Sequence, residues 1–367
     1  QNIDDLNIRE ILMTANPWQP TSRHHTPTTL MEPITDPPAW TREELEASQA
    51  YLYRLSNSEI TDVLDAVAQV EKRSPDLKGI QREDFNLPIF GPVLEDLCEE
   101  VIKGRGFVFL RGLPTEGRSL YQMAAAFWGV GCYFGRAVSQ NAKGHLLGHV
   151  KDLGEEITSA TGRGYNSASK LGFHADSCDV FGLSVIRTAK SGGQHRMCSS
   201  VTVHNEMLKR APNLVEELAF RFYRSRRGEL PPGETDPWTR QPVFSVTDGY
   251  FAARGASSTL ARSQGMPGVP ALTPGQQEAI NTYNEIAAEI AMDVDFEPGD
   301  MSFVHNYVTL HSRTRYEDWP DAERKRHLLR LWLSFDGARP VHEDIVRDLS
   351  GGILEEGTVL HAPLDAA

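Results

Sequence analysis

Short apolar runs separated by turn residues are the main pattern along this chain. One run lies between Gly106 and Gly112, and similar runs recur through the second half of the sequence. Runs of this kind bounded by Gly, Pro and Asn are typical of β-strands. The predicted strands cover residues 106–112, 180–187, 200–203, 243–246, 301–304 and 327–335. Their irregular spacing predicts a mainly β fold with flanking helices, a β-sandwich or jelly roll, in preference to a βαβ fold.

Helices are predicted where the apolar period changes to that of an amphipathic helix. Thr41 and Glu44 form a capping box at the start of the first helix. Residues 58–67 then carry apolar side chains at helical spacing. Further helices are predicted over residues 120–127, 212–222 and 273–290. We expect the last two to brace the outside of the sheets.

Proline and glycine divide the chain into an arm, a domain and a tail. Residues 16–40 contain six prolines, too many for a helix or a central strand. The sequence therefore predicts an extended arm over residues 1–40, a domain with a helical first part over residues 41–340, and a tail over residues 341–367. The breaker-rich loop at 228–242 fits two descriptions equally, a cover over a binding site and a solvated excursion.

Charge narrows the range of partners. The 37 basic and 50 acidic side chains give a formal net charge of −13, which repels phosphate backbones and anionic lipid surfaces. No stretch approaches the ~20 apolar residues of a membrane-spanning helix. We therefore expect a small-molecule substrate and neither a nucleic-acid nor a membrane partner. The sequence leaves the oligomeric state open, with a homodimer as one option.

The four cysteines indicate a reducing compartment. Cys98, Cys132, Cys178 and Cys198 are sparse for a chain of 367 residues and form no C-x-x-C pair. This spacing argues against a disulfide framework and against a zinc finger. We expect reduced thiols and a cytoplasmic protein.

Two histidines and one carboxylate are the candidate metal ligands and catalytic centre. His174 and Asp176 are separated by one residue, and His311 lies much later in the chain. On a strand, residues i and i+2 face the same side, so His174 and Asp176 can grip one metal. Two histidines and a carboxylate with open coordination positions are the ligand set of non-haem iron oxygenases. The alternative is a hydrogen-bonded core histidine beside a capping aspartate.

A second His-x-Asp triplet shows that the motif alone is weak evidence. His342 and Asp344 form it within a polar segment that follows Pro340. The first triplet instead follows Phe173 and precedes an apolar strand. For the second triplet we therefore favour a structural role.

Arg326 and Arg330 alternate with apolar residues on one face of the last predicted strand. Leu328 and Trp332 lie on the same face, so both arginines point toward the core. A buried guanidinium needs an anionic partner, and its planar fork matches a carboxylate with two parallel hydrogen bonds. The pattern predicts a carboxylate ligand near this strand.

Taken together, these motifs resemble the TauD/TfdA (taurine dioxygenase-like) family of Fe(II)/2-oxoglutarate-dependent oxygenases, in its eukaryotic, fungal-type branch. The resemblance extends over most of residues 80–335. It is carried by the segments at residues 104–107, 173–177, 189–193, 298–300, 306–313 and 326–330.

The resemblance implies a double-stranded β-helix with Fe(II) held by His174, Asp176 and His311. It further implies 2-oxoglutarate and O2 as cosubstrates, with Arg326 binding the far carboxylate of 2-oxoglutarate. Arg330 would meet the near carboxylate or an anionic substrate. Its alternative is an ion pair with a structural acid.

One segment departs from the family pattern. A Thr or Ser usually follows the Gly-Gly turn and contacts the cosubstrate carboxylate, but here His195 and Arg196 follow Gly192, Gly193 and Gln194. His195 and Arg196 either replace that contact or face the substrate. Asn166, with its neighbours Tyr165 and Ser167, occupies a region that contacts the substrate in this family.

The resemblance implies a dioxygenase that releases succinate and CO2. Hydroxylation is the default outcome, with desaturation or ring closure as alternatives. The expected substrate is small and carboxylate-bearing, such as an amino acid or a secondary-metabolite intermediate.

Two other classes also fit a His/Asp/His jelly roll: a metal-dependent isomerase or lyase without oxygen chemistry, and a metal-free binding module. The first leaves Arg326 unexplained, and the second leaves the ligand spacing unexplained.

Overall fold

The computed structural model describes residues 16–73, 76–154, 167–349 and 352–365. Its strands, in chain order, are β1 (Leu52–Arg54), β2 (Phe107–Arg111), β3 (Arg136–Ala137), β4 (Leu147–Val150), β5 (Leu171–His174), β6 (Val180–Arg187), β7 (Ser191–Gly192), β8 (His195–Ser199), β9 (Phe222–Ser225), β10 (Trp238–Gln241), β11 (Phe244–Thr247), β12 (Tyr250–Ala253), β13 (Met292–Val294), β14 (Met301–His305), β15 (Thr309–Arg313), β16 (Tyr316–Glu317) and β17 (His327–Ser334). Its helices are α1 (Arg42–Ser48), α2 (Asn57–Arg73), α3 (Gly91–Lys103), α4 (Leu120–Gly131), α5 (Ser200–Arg210), α6 (Pro212–Val215), α7 (Ser258–Ser263), α8 (Pro274–Ile290) and α9 (Glu343–Leu349).

Two antiparallel sheets form the centre of the fold. The larger sheet has the strand order β1-β2-β14-β6-β17-β3, and β4 also pairs with β17. The smaller sheet has the order β13-β8-β15-β5. Among the described strands of these two sheets, only β1 and β2 pair in parallel, at the edge of the larger sheet. Neighbours in each sheet are mostly distant in sequence, as in a jelly roll.

Apolar side chains from both sheets meet between them. Phe181 and Trp332 contribute from the larger sheet, and Met197 and Val294 contribute from the smaller one. Facing sheets bury their inner faces against each other, so this cluster is the sandwich core. The space between the sheets also holds the candidate site.

Helices cover the two outer faces. The larger sheet packs against α2, α3 and α4, where Phe127 and Phe303 belong to one buried cluster. The smaller sheet packs against α5 and α8, where Leu310 and Tyr283 belong to another. The predicted arrangement of helices around a β core is therefore confirmed, including the capping box at Thr41. The structure adds a second capping box at Thr273, where a helix start had been predicted.

Three sequence predictions were wrong in detail. Residues 200–203 begin helix α5 instead of forming a strand, because Ser199 caps the helix by accepting from the backbone N–H of Thr202. Phe222 lies in strand β9, since the helix after Pro212 ends early and a short 3-10 turn follows. The loop at 228–242 also contains strand β10, which pairs with β9.

Both ends of the described chain pack on the domain. In the arm, Arg23 forms ion pairs with Asp96 and Glu100 on α3. Near the other end, the carbonyl of Pro363 accepts a hydrogen bond from His149 at 2.8 Å. Within the described residues, no helix has both the length and the apolar character needed to cross a bilayer. Each of the four cysteines is a free thiol.

Candidate metal centre

The structure brings His174, Asp176 and His311 together. Each offers one ligand atom, and these three atoms all lie within 4.8 Å of one another. Among the described residues, this is the one such group of histidine, cysteine and acidic side chains. His174 ends β5 and His311 lies opposite it on the neighbouring strand β15. Asp176 lies just beyond the end of β5, and not on the strand as the sequence had predicted.

A hydrogen bond fixes the orientation of His174. Its Nδ1 lies 2.9 Å from the carbonyl of Gly172, so Nδ1 carries the proton and donates. The remaining nitrogen, Nε2, is then the lone-pair atom, and it lies 4.0 Å from Oδ1 of Asp176. A second partner of this kind is typical of metal-ligating histidines.

The two carboxylate oxygens of Asp176 have different surroundings. Oδ2 accepts hydrogen bonds from Trp332 Nε1 at 2.8 Å and from Arg330 Nη1 at 3.2 Å. Oδ1 is the oxygen that faces His174. The donors on β17 therefore hold one oxygen and leave the other for a metal.

Electrostatics set the protonation states that a divalent cation requires. Burial lowers the pKa of His174 and lowers that of His311 further, with the neighbouring His174 adding to the shift. Burial alone would raise the pKa of Asp176, but Arg330, His174 and the Trp332 hydrogen bond together lower it. Neutral histidines and an ionised carboxylate are the forms that bind metal.

Two buried side chains hold the backbone around Asp176. Asn306 accepts from the Asp176 N–H at 3.0 Å and donates to the Cys178 carbonyl at 2.9 Å. Arg254 donates to the Asp176 carbonyl at 2.8 Å. Arg254 was not predicted as a site residue, because it follows β12 and gives no local sequence signal. Asn306 lies in a segment that resembles the family pattern, but the sequence assigns it no role.

The donor set fits a ferrous ion. Two imidazoles and one carboxylate on one side suit Fe(II) with open positions. Nδ1 of His311 is buried without a hydrogen-bond partner among the described residues, and the His311 ring stacks on Phe181 with centroids 4.1 Å apart. The three residues would hold Fe(II), and the cavity beside them leaves room for further ligands.

A cavity of about 740 Å³ opens at these residues. Its walls come from both sheets and from the β9–β10 region, where Glu229 and Pro231 line it. This placement agrees with the description of the 228–242 loop as a cover. The tail contributes Ile353.

Arg326 lines the cavity and is almost fully buried, with 5% of its surface exposed. Its Nη1 is buried and has no hydrogen-bond partner among the described residues. Burial lowers its pKa, and among the described residues Tyr316 and Asp318 offset only part of that effect, so its charge is not fully balanced there. An anion bound here would restore that balance.

Arg313 adds a second cation beside Arg326. Arg313 lies two residues after His311 on β15 and lines the same cavity. It donates to the backbone carbonyls of Ser167 and Ser169, each at 2.6 Å. Burial and the nearby charge of Arg326 lower the pKa of Arg313 to about 10. The i, i+2 spacing from His311 was the sequence signal that could have identified it.

Arg330 lies beside the metal ligands. Its Nη1 reaches Asp176, and its Nε donates to Oε1 of Gln140 at 2.8 Å. Gln140 in turn donates to the Arg330 carbonyl at 2.8 Å. Arg326, Leu328, Arg330 and Trp332 all line the cavity, which confirms that they share a strand face.

The structure places the remaining predicted site residues differently. His195 is buried and lines the cavity. Arg196 lies on the other face of β8, where it pairs with Asp293 at 2.6 Å, and it is not among the cavity residues. Asn166 lies outside the described residues. In the second His-x-Asp triplet, Asp344 pairs with Arg221 at 2.5 Å.

A family model and curated relatives both match this chain. The model of the taurine catabolism dioxygenase TauD, TfdA family matches residues 69–332. FR-33289 synthase of Streptomyces rubellomurinus is 31% identical over 319 residues, covering 84% of this chain and 93% of the relative. A taurine hydroxylase-like protein of Stachybotrys chartarum is 27% identical, covering 81% and 79% respectively.

Solved structures of non-haem iron oxygenases share the fold. Asparagine oxygenase (AsnO) superposes with a TM-score of 0.60 at 17% identity, covering 85% of this chain and 99% of that chain. The oxygenase OrfP in complex with Fe and alpha-ketoglutaric acid gives a TM-score of 0.61 at 16% identity, covering 83% and 99%. The double-stranded β-helix predicted from the sequence is confirmed.

Proposed function

The chain belongs to the taurine catabolism dioxygenase TauD, TfdA family and is an Fe(II)/2-oxoglutarate-dependent oxygenase, and from this we propose that it hydroxylates a small anionic substrate. The isomerase or lyase alternative is not favoured, because the family is one of oxygenases. The observation that carries the proposed 2-oxoglutarate site is the buried guanidinium of Arg326 in the same cavity as His174, Asp176 and His311.

We propose that His174, Asp176 and His311 hold Fe(II) and that Arg326 binds the far carboxylate of 2-oxoglutarate. When bound, Fe(II), 2-oxoglutarate and O2 supply an oxidative decarboxylation that yields succinate, CO2 and an oxidant able to remove hydrogen from the substrate. The protein positions the reactants: Arg330 and Trp332 fix Asp176, and Phe181 shields one face of His311 from water.

An excess of positive charge in the cavity supports an anionic substrate. Among the described residues that line it, eight are arginines and one is a lysine, whereas the acids are Asp176 and Glu229; one of the arginines, Arg226, also pairs with Glu234 at 3.6 Å. Arg254 is an example of a lining arginine whose hydrogen bonds do not cancel its charge. It donates to the backbone carbonyl of Asp176 and to the side chains of Ser177 and Gln241, which are all neutral. Hydrogen bonds to neutral groups satisfy donors without cancelling charge.

We infer that the substrate carries a carboxylate, with an amino acid or a secondary-metabolite intermediate ahead of a sulfonate. The structural neighbours support this order, since their complexes contain hydroxyasparagine and hydroxy-L-Arg. Arg330 is the proposed contact for the substrate anion or the near carboxylate of 2-oxoglutarate. A cytoplasmic location and a substrate contact from Asn166 remain predictions.

Two measurements test the proposal in sequence. Anaerobic addition of Fe(II) and then 2-oxoglutarate should produce the visible charge-transfer band of a chelated 2-oxo acid, which neither an isomerase nor a binding module predicts. Succinate formation is then measured across amino acids, carboxylic acids, sulfonates and their neutral amides or esters. If neutral compounds couple best and acids do nothing, the anionic-substrate proposal is wrong while the enzyme class stands.

A further inference from the structure

His195 shares a sheet face with the metal ligand His311. On β8, His195 pairs with Arg313 and Met197 pairs with His311 of the antiparallel strand β15. Residues directly opposite each other in a sheet point to the same side. His195 therefore points into the space between the sheets, whereas its neighbour Arg196 points away.

The surroundings of His195 are aromatic on several sides. Its ring centroid lies 5.2 Å from that of Phe296, 6.3 Å from Phe109 and 6.5 Å from Phe181. Only 5% of the residue is exposed, and Nε2 is buried without a hydrogen-bond partner among the described residues. Buried polar atoms are rarely left in this state unless a ligand completes them.

The guanidinium of Arg326 lies near the start of β8, close enough for its charge to act on the His195 ring. A Cβ on Gly193, two residues before His195, would lie 3.4 Å from Nε of Arg326, so the Gly192–Gly193 turn packs directly on that guanidinium. Gly193 has a φ of +75°, a conformation that only glycine adopts readily. The ring of His195 also stacks on that of the metal ligand His311, with centroids 5.8 Å apart.

Three serine and threonine hydroxyl groups near this turn and strand have other partners. Ser199 donates to the Pro38 carbonyl and caps α5, and Ser200 donates to the Tyr307 carbonyl at 3.5 Å. Thr314 donates to the Gln194 side chain at 2.7 Å. None of these three residues lines the cavity. His195 thus stands where the family usually has a hydroxyl donor.

We propose that His195 donates a hydrogen bond from its imidazole N–H to the far carboxylate of 2-oxoglutarate, beside Arg326. This inference rests on the proposed role of Arg326. An imidazole N–H next to a guanidinium can bind one oxygen of the same carboxylate. The remaining carboxylate oxygen is left to Arg326.

The test measures binding of two 2-oxo acids to the anaerobic Fe(II) enzyme by calorimetry. One is 2-oxoglutarate, and the other is 2-oxopentanoate, which has the same chain length but a methyl group in place of the far carboxylate. The variants His195→Leu and His195→Phe lack the donor, and both should bind 2-oxoglutarate about tenfold more weakly. Their affinity for 2-oxopentanoate should stay within about twofold of the wild type.

A conservative variant and a neighbouring variant serve as controls. His195→Gln keeps an N–H donor and should recover most of the affinity, whereas Arg196→Gln, on the opposite face of β8, should bind like the wild type. Equal losses for both 2-oxo acids would place His195 at the metal or in the scaffold and overturn the proposal. The Tyr316 hydroxyl is the competing donor, because it is buried without a partner among the described residues and its ring centroid lies 5.1 Å from the Arg326 guanidinium carbon. If Tyr316→Phe shows the selective loss and His195→Leu does not, the second donor is the Tyr316 hydroxyl.

The Arg326→Leu variant separates this inference from the proposed function. Undiminished 2-oxoglutarate affinity in Arg326→Leu contradicts the proposed site itself. A loss in Arg326→Leu together with no loss in His195→Leu contradicts only the role of His195. If the donor-free variants fail to fold, the wild type with Zn(II) and 15N-labelled histidine gives the answer by NMR. The His195 N–H resonance should shift with 2-oxoglutarate and not with 2-oxopentanoate, and an unchanged resonance overturns the proposal.

Discussion

The indole N–H of Trp332 donates to Oδ2 of Asp176 across 2.8 Å, and this bond joins the larger sheet to the metal centre. It predicts that Trp332→Phe weakens iron binding, because Oδ2 loses a buried donor and Asp176 gains freedom to turn. Removing such an outer partner typically costs about 10–100-fold in metal affinity. Anaerobic competition with a coloured Fe(II) chelator measures the change.

Trp319→Phe is the matched control for this substitution. Trp319 stacks against Arg324 outside the cavity, with 3.5 Å between the Arg324 guanidinium carbon and the ring centroid. Its replacement should leave iron affinity within about twofold of the wild type. Equal effects in the two variants would mean that Trp332 acts through general stability and not through Asp176.

His311→Ala is expected to abolish stoichiometric iron binding. The variant leaves one imidazole and one carboxylate, too few to hold Fe(II) against dilution. Metal analysis after gel filtration measures retained iron. His342→Ala, in the other His-x-Asp triplet, should retain a full complement. Normal iron content and turnover in His311→Ala would remove it from the ligand set.

Arg326→Leu should raise the 2-oxoglutarate requirement steeply. Losing a charge-assisted pair from a buried site costs roughly 2–5 kcal/mol, which is about one and a half to more than three decades in affinity. The Michaelis constant for 2-oxoglutarate reports the change. Arg324→Leu, an exposed arginine two residues away, is the control and should behave like the wild type. An unchanged constant in Arg326→Leu would assign the carboxylate to another residue.

His327 links the stability of the fold to pH. Burial, and then the charge that His149 can carry, lower the pKa of His327 to about 3. In the unfolded chain, His327 binds a proton near pH ~6.5, whereas in the folded chain His327 stays unprotonated at that pH. The free energy of unfolding should therefore fall as the pH drops from about 6.5 toward 3, by at most about 1.4 kcal/mol per pH unit for this group.

Urea unfolding between about pH 7 and pH 5 tests this link. His327→Gln should be less stable at neutral pH, because it loses the 2.8 Å contact to His149, but its stability should depend less on pH. The exposed His24→Gln variant should keep the wild-type slope. If His327→Gln keeps that slope too, protonation of His327 is not coupled to unfolding.

The sequence predicted the strands well where burial and periodicity agree. Residues 180–185 and 301–304 are buried on both faces, because β6 and β14 are covered by a helix layer and by the facing sheet. Residues 200–203 were wrongly predicted as a strand, since Val201, Thr202 and Val203 have high β propensity. There the cap from Ser199 and the burial of Val201 and Val203 in the helix interface outweigh propensity.

The candidate metal ligands could be identified from sequence, but their supporting contacts could not. His174 and Asp176 form a local motif, and their i, i+2 spacing indicates that both can bind one metal. Arg254 and Gln140 act through hydrogen bonds to Asp176 and Arg330 that depend on how distant segments pack. The role of His195 was left open because the sequence shows that it follows a turn but not which face of β8 it occupies.

The metal ligands and the proposed cosubstrate anchor belong to opposite walls of the sandwich. His174 and His311 come from the smaller sheet, whereas Arg326 directly precedes β17 of the larger one. The gap that a chelating 2-oxo acid has to span is therefore set by core residues such as Met197, which pack between the walls. In directed evolution, changes in 2-oxo acid preference should thus be recovered at interior positions as well as at the cavity surface.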